Sequence, residues 1–401
     1  MNDYPSNVKE KLNFIISDMA NHHWLFTNRP GHDFMRQNHG KLSFYDTMRL
    51  IIGMGKGNTN DEIMDYFDLD PDRIPSQSAF NQRRSQISLS AFEYLFSEFS
   101  SAFPATTNTF KNHCILACDG CHVVYTTNSE IIEDFNKPHL IDYKGYNHMH
   151  LNGFVDVISK AFIDVVIQPG QKPDERQALH IMLDHFQPDE QDEFDVTIKR
   201  FLTDKKTNIM RSQSDVYRYM NPSKNIPHFQ QLLNHKHLYF MQFRVIKMKV
   251  AEDSYEYIIT NLPYSFDLED LKTCYHWRWQ IEVAFRYLKH ANGLFYFHSK
   301  KPEYLKQEIY ANLILYNFGV FLANEAIQEN QKKKHRITNK YQYEVDFSSA
   351  LKISRKYFIR GQSSENRIIK LIAKYIHAVK SEFRQFSRPL RGIGAIHFGY
   401  R

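Results

Sequence analysis

Apolar positions along this chain switch between a helical and a strand period. Up to about residue 110 they recur at helical spacing. SFYDTMRLIIGM (43–54) starts on a capping Ser, and the break GKGNTN leads into NDEIMDYFDL. DPDRIPSQS then precedes SAFNQRRSQI, a Ser-initiated helix carrying Gln82, Arg83 and Arg84; two short helices and this third one have the layout of a helix-turn-helix. Beyond Pro104 the period falls to two. KNHCILACDGCHVVY predicts a strand, and HMHLNGFVDVIS with KAFIDVVIQP predicts a hairpin turning at Ser-Lys. An amphipathic helix, PDERQALHIMLDHF (173–186), follows, so three strands and a helix open an α/β domain with a mixed sheet. An acidic stretch, QPDEQDEF, gives way to alternation in DVTIKRFLTD, HLYFMQFRVIKMKVAED and SYEYIITNLP, a β-rich section. Helical spacing returns from Asp267 to His290 and in KPEYLKQEIYANLILYNFGVFLANEAIQEN, followed by a charged linker, QKKKHRITNK, and a helical tail.

Within Tyr275 to Lys289, YHWRWQIEVAFRYLK, two patterns are threaded together. As an α-helix, Tyr275, Arg278, Glu282, Arg286 and Lys289 fall on one stripe about 80° wide, while Trp277, Ile281, Phe285 and Leu288 lie opposite. The apolar side can dock on a core. For the polar side two readings stand: a solvated stripe with i, i+4 ion pairs, or a site at which one carboxylate holds a metal ion while the cations and the phenol grip phosphates.

Composition narrows the field. With 42% hydrophobic and 14% aromatic residues in 401, the chain is a folded protein of two or three domains. A net charge of +6 permits nucleic-acid binding without demanding it. The first residues have no signal-peptide core and no apolar run reaches membrane-spanning length, so the expectation is a soluble protein of the cytoplasm with no membrane partner. Four cysteines fit a reducing compartment. Cys118 and Cys121 have a zinc-like gap, but no second pair follows at finger spacing, and CILAC reads as a buried strand. Asp119 interrupts that apolar strand, where a carboxylate needs an ion pair or a bound cation, and Gly120 leaves space beside it.

Asp119 on a first strand, a hairpin, a helix, a β-rich insertion and then Tyr275, Arg278, Glu282 and Lys289 resemble the insertion-sequence transposases of the DDE type. The group in question carries the signature Tyr, two residues, Arg, three residues, Glu, six residues, Lys, matched here at that spacing. GYNHMHLNGFVDV, VVIQPG, YIITNLP and FHSKKPEYLKQEIYANLILYN extend the similarity over nearly the whole chain. The resemblance implies an α/β fold with an RNase H-like catalytic core. A helical DNA-binding region would occupy 1–110, the first part of the core 111–190, the β-rich insertion 191–265, the second part of the core 266–330 and a C-terminal helical tail 331–401.

The same resemblance implies metal-dependent cleavage and strand transfer of insertion-sequence ends. Asp119 and Glu282 would be catalytic carboxylates of a two-metal site for Mg²⁺ or Mn²⁺, with Tyr275, Arg278 and Lys289 on the DNA. Its partners would be double-stranded DNA bearing terminal inverted repeats and a second copy of the chain on paired ends. One departure stands out: the strand that should bring a second Asp, in an Asp-Arg-Gly context, is missing after LDHF, as an internal deletion would leave it. Asp204, after VTIKRFLT, is the best substitute, although Lys205 and Lys206 replace the Arg-Gly turn; Asp184, Asp189, Asp192 and Asp195 read as solubilising acids on a helix or an exposed loop. The alternative is a deleted copy that binds DNA without cutting it.

Overall fold

The computed structural model describes residues 7–34, 42–103, 110–111, 115–125, 127–128, 130–136, 145–170, 194–205, 207, 213, 216–219, 233–234, 237–251, 254–260, 262–332, 342–360 and 363–379. The expected helix 173–186, the acidic stretch after it and the terminal RPLRGIGAIHFGYR lie outside these residues. The chain divides into two compact units, one made of Met1–Lys172 with Trp277–Arg401 and the other of Pro173–His276.

In the first unit the N-terminal helices α1 (Val8–Asn21), α2 (Phe44–Gly53), α3 (Thr59–Tyr66), α4 (Gln77–Arg84) and α5 (Leu89–Ser101) begin where the sequence supplies caps. Ser43 with Asp46, and Asn58 with Asp61, form reciprocal capping boxes that satisfy amides left open in the first turn. Strand β1 (Leu116–Tyr125) pairs antiparallel with β3 (Tyr146–Asp156), which pairs with short β2 (Phe135–Asn136) and with β4 (Phe162–Pro169). The predicted hairpin is therefore present. Its turn places Lys160 at φ +66°, and the pairings of this first sheet among the described residues are all antiparallel, where a mixed sheet was expected. Among the described residues β1 has a partner on one edge only.

The chain passes from the second unit back into the first within α6 (Leu268–Arg286), which is followed by a π-helical turn (Tyr287–Asn292) and α7 (Pro302–Lys332). Residues 305–326 of α7 are buried at most positions around the helix, from Leu305 to Ala326, because it packs against α1, α2, α5, the π turn and the two C-terminal helices α8 (Phe347–Arg360) and α9 (Glu365–Ile372). The most hydrophobic run in the sequence is thus the axis of the first unit's core, and no described helix is long and apolar enough to cross a membrane. Asn317 ties this axis to the sheet: its side-chain carbonyl accepts from Phe162 N at 2.9 Å, and its amide donates to Phe162 O at 2.7 Å and to Ser100 Oγ at 3.0 Å. The C-terminal region also holds a short antiparallel pair, β9 (Gln342–Val345) with β10 (Ile376–Val379).

The second unit is built on a separate sheet. Strand β5 (Phe194–Thr203) lies between β6 (Tyr217–Tyr219), parallel to it, and β7 (Leu238–Ala251), antiparallel; β8 (Ser254–Thr260) follows β7. Asp195, expected in an exposed loop, is a residue of β5. It takes the guanidinium of Arg244, which also donates to the carbonyls of Leu262, Pro263 and Phe266. A buried Arg needs such acceptors, and here they lock the segment after β8 onto the sheet.

Candidate active site

The site begins with the alternation of β1. Asp119 lies opposite Gly153 and Cys121 opposite Leu151, so both side chains share one face of the sheet. That face is covered by α6: a Cβ built on Gly153 would lie 3.0 Å from the Phe162 ring and 3.5 Å from the Phe285 ring. Glycine therefore lets α6 come close to the strand pair directly beside Asp119. Ile281, Ala284, Phe285 and Leu288 are buried, and Trp277 meets the ring of Phe110 at 5.0 Å. The apolar stripe read from the sequence is the docking face, and each large side chain fully buried there contributes about 1.5–3 kcal/mol.

On the polar stripe Arg278 and Glu282 pair at 3.5 Å, both 38% exposed, while Arg286 is exposed and Tyr275, which belongs to the other unit, is half-buried. Lys289 departs from the expected geometry. The α-helix stops at Arg286, and the residues to Asn292 form a wider π turn ended by Gly293 in the left-handed region, φ +99°. In that turn the ammonium of Lys289 lies close enough to the thiol of Cys121 on β1 to act on it electrostatically. Burial pushes this thiol up to about 11 against the pull of Lys289, and Asp119 adds a smaller upward push. Asp119 keeps one carboxylate oxygen on the amide of Gly120 at 2.9 Å.

Oxygen donors such as Asp119 and Glu282 suit Mg²⁺. Yet among the described residues no three His, Cys, Asp or Glu side chains gather closely enough to hold a metal ion, so the described donors do not complete a two-metal set. Among the described residues, the strand before Asp204 is not paired with β1. VTIKRFLT pairs with β6 and β7 in the other sheet, and Asp204 at its end is bound to His237 at 3.1 Å. On α4, Arg84 is 1% exposed and its guanidinium meets Glu308 at 2.8 Å. Sequence spacing missed the Cys121 contact, since nothing in YLKHAN announces a π turn; Gly293, the stop signal, was the one legible clue.

Residues 111–318 match the family model described as the transposase DDE domain. Over 87 residues the chain is 36% identical to InsL for insertion sequence element IS186A of Escherichia coli (strain K12) and, to the same degree, to the transposase for insertion sequence element IS421 of Escherichia coli. Each alignment covers 21% of this chain and 22% of the relative, so the matched segment spans about a fifth of those proteins. A piggyBac transposase, solved by cryo-EM in a synaptic complex with hairpin DNA, aligns over 94% of this chain and 84% of its own at 9% identity and a TM-score of 0.37, a likeness that carries no fold argument.

Proposed function

The chain belongs to the transposase DDE-domain family, and from that premise we propose that it acts in DNA transposition by cleaving insertion-sequence ends and joining them to a target. The observation that carries this reading is that one family match, 111–318, takes in both Asp119 and Glu282. Support comes from the placement of Asp119 on the face where Phe285 and Lys289 of the same match approach β1. In this reading the core is RNase H-like and belongs to the group with the Tyr-Arg-Glu-Lys signature. Tyr275, Arg278 and Lys289 bind phosphates flanking the scissile bond, where Lys289 offsets the charge of the phosphodiester and Arg278 brings a planar donor fork. Asp119 and Glu282 are the catalytic carboxylates, and the substrate is duplex DNA ending in inverted repeats, held by two copies of the chain. Mg²⁺ or Mn²⁺ is the ion such oxygens select, but no step is assigned to it on two carboxylates.

The test is cleavage of labelled element ends by the purified chain with Mg²⁺ or Mn²⁺. Nicking at the ends, lost in Asp119→Asn and in Glu282→Gln while DNA binding persists, is the expected result. Binding without cleavage in the parent chain would establish a DNA-binding protein that has lost the chemistry, and cleavage untouched by both substitutions would remove these residues from the site.

A further inference from the structure

The loop Gly55-Lys56-Gly57 between α2 and α3 sends a cation to the far end of the site helix. Lys56 Nζ donates to the carbonyl of His290 at 2.8 Å and stands 5.2 Å from the centre of the Tyr296 ring. Its stem lies on the residue that ends the π turn, since a Cβ on Gly293 would come within 3.4 Å of Lys56 Cγ. The last carbonyls of a helix lack intrahelical donors and carry the negative end of its dipole, so a lysine there is held by both hydrogen bond and charge.

The loop itself is fixed from three sides. Gly57 N donates to Glu62 at 2.8 Å; the other oxygen of Glu62 takes Arg355 at 2.6 Å; and Arg355 Nε donates to Gly53 O at 2.8 Å. His298 Nε2 stands 3.1 Å from Gly57 O. Gly55 rests flat on the guanidinium of Arg355, with no room for a Cβ, which would fall 2.2 Å from its carbon.

We infer that Lys56 is a positioning residue: by clasping His290 and Gly293 it holds the π turn, and the π turn aims the neighbouring Lys289 at the β1 face that carries Cys121 and Asp119. The N-terminal helical region thereby reaches the site through one loop. Only the last consequence, the effect on DNA, rests on the function proposed above.

The test has two arms. In the free protein, hydrogen exchange of the backbone amides in 288–296, which include Leu294 N on Leu288 O and Tyr296 N on Gly293 O, should speed up about tenfold in Lys56→Ala and Lys56→Met and return in Lys56→Arg, with α7 unchanged. Lys56 is exposed, so these variants fold. In the second arm, binding to a short mixed-sequence DNA duplex is measured against salt. Lys289→Ala should lower the slope by about one, Lys56→Ala should weaken binding, and the two losses should not add, because Lys56 acts through Lys289. Unchanged exchange in 288–296 overturns the inference, as does additive loss, which would make Lys56 a DNA contact in its own right. If the parent chain binds no DNA, the proposed function fails while the exchange arm still decides the role of Lys56.

Discussion

Replacing Glu308 by Gln should destabilise the first unit by about 3 kcal/mol. Arg84 on α4 and Glu308 on α7 are 1% and 2% exposed, with Nη1 2.8 Å from Oε1 in an ion contact off the hydrogen-bond direction. The other carboxylate oxygen accepts from His298 N at 2.9 Å. Gln keeps an acceptor for that amide and removes only the charge. Losing one partner of a buried pair typically costs about 3–5 kcal/mol, because the remaining ion is left uncompensated. Arg84 would still donate to Tyr304 O at 2.7 Å and Gln307 Oε1 at 3.2 Å, which places the expected cost at the lower end.

Against a domain stability of about 5–15 kcal/mol the effect is large. All three tryptophans, Trp24, Trp277 and Trp279, lie in the first unit, so fluorescence during urea unfolding reads that unit by itself. The pair Arg84→Met with Glu308→Leu should cost less than either change alone, since no unpaired charge remains buried. The pH dependence carries the same signature. Burial pushes the Glu308 carboxyl up, but Arg84 and His298 outweigh it and hold it below the ordinary carboxylate value of 4.5. Its stabilisation is therefore present above pH 4.5 and lost as pH falls through the lower folded value, a slope that Gln removes. A loss below 1 kcal/mol in the single variant, or strict additivity in the pair, would refute the reasoning.

Asn317→Leu should cost about 2–4 kcal/mol, since it strips the partners from Phe162 N and O where α7 meets β4; urea unfolding followed by the same fluorescence checks it. The joint variant Arg278→Ala and Lys289→Ala should lower the salt slope of DNA binding by about one unit per lost contact, for all sequences alike; an unchanged slope would return the stripe to a solvated face. Burial, with help from Arg49 and against the pull of Glu365, lowers the Lys9 ammonium from 10.5 to about 8, so the unfolded chain binds more protons between those values. Stability should rise as pH goes from 8 towards 9.5, and Lys9→Met should flatten the rise, both read as urea midpoints.

Periodicity and capping residues determined most of the local structure before any contact was known. Ser43, Asn58 and Ser76 start helices because their side chains satisfy first-turn amides within their own segment. The apolar stripe through Ile281, Phe285 and Leu288 is buried because a 3.6-residue period already gathers it on one side. Asp119 was legible as an odd charge on a strand. Partner choice was not, since a period of two says which face a side chain takes and is silent on which strand lies next. VTIKRFLT could therefore be a strand in either sheet, and only the structure pairs it with β7. Asp195 read as a solubilising acid of a loop, whereas it is a residue of β5 that holds Arg244 of β7. Nor does its helix tell that Arg84 is buried, because Glu308, which closes on it, is far along the chain. The turn of Lys289 towards Cys121 came last, set by a π turn that no local propensity encodes and that depends on packing against α7 and α8 and on Lys56 at its end.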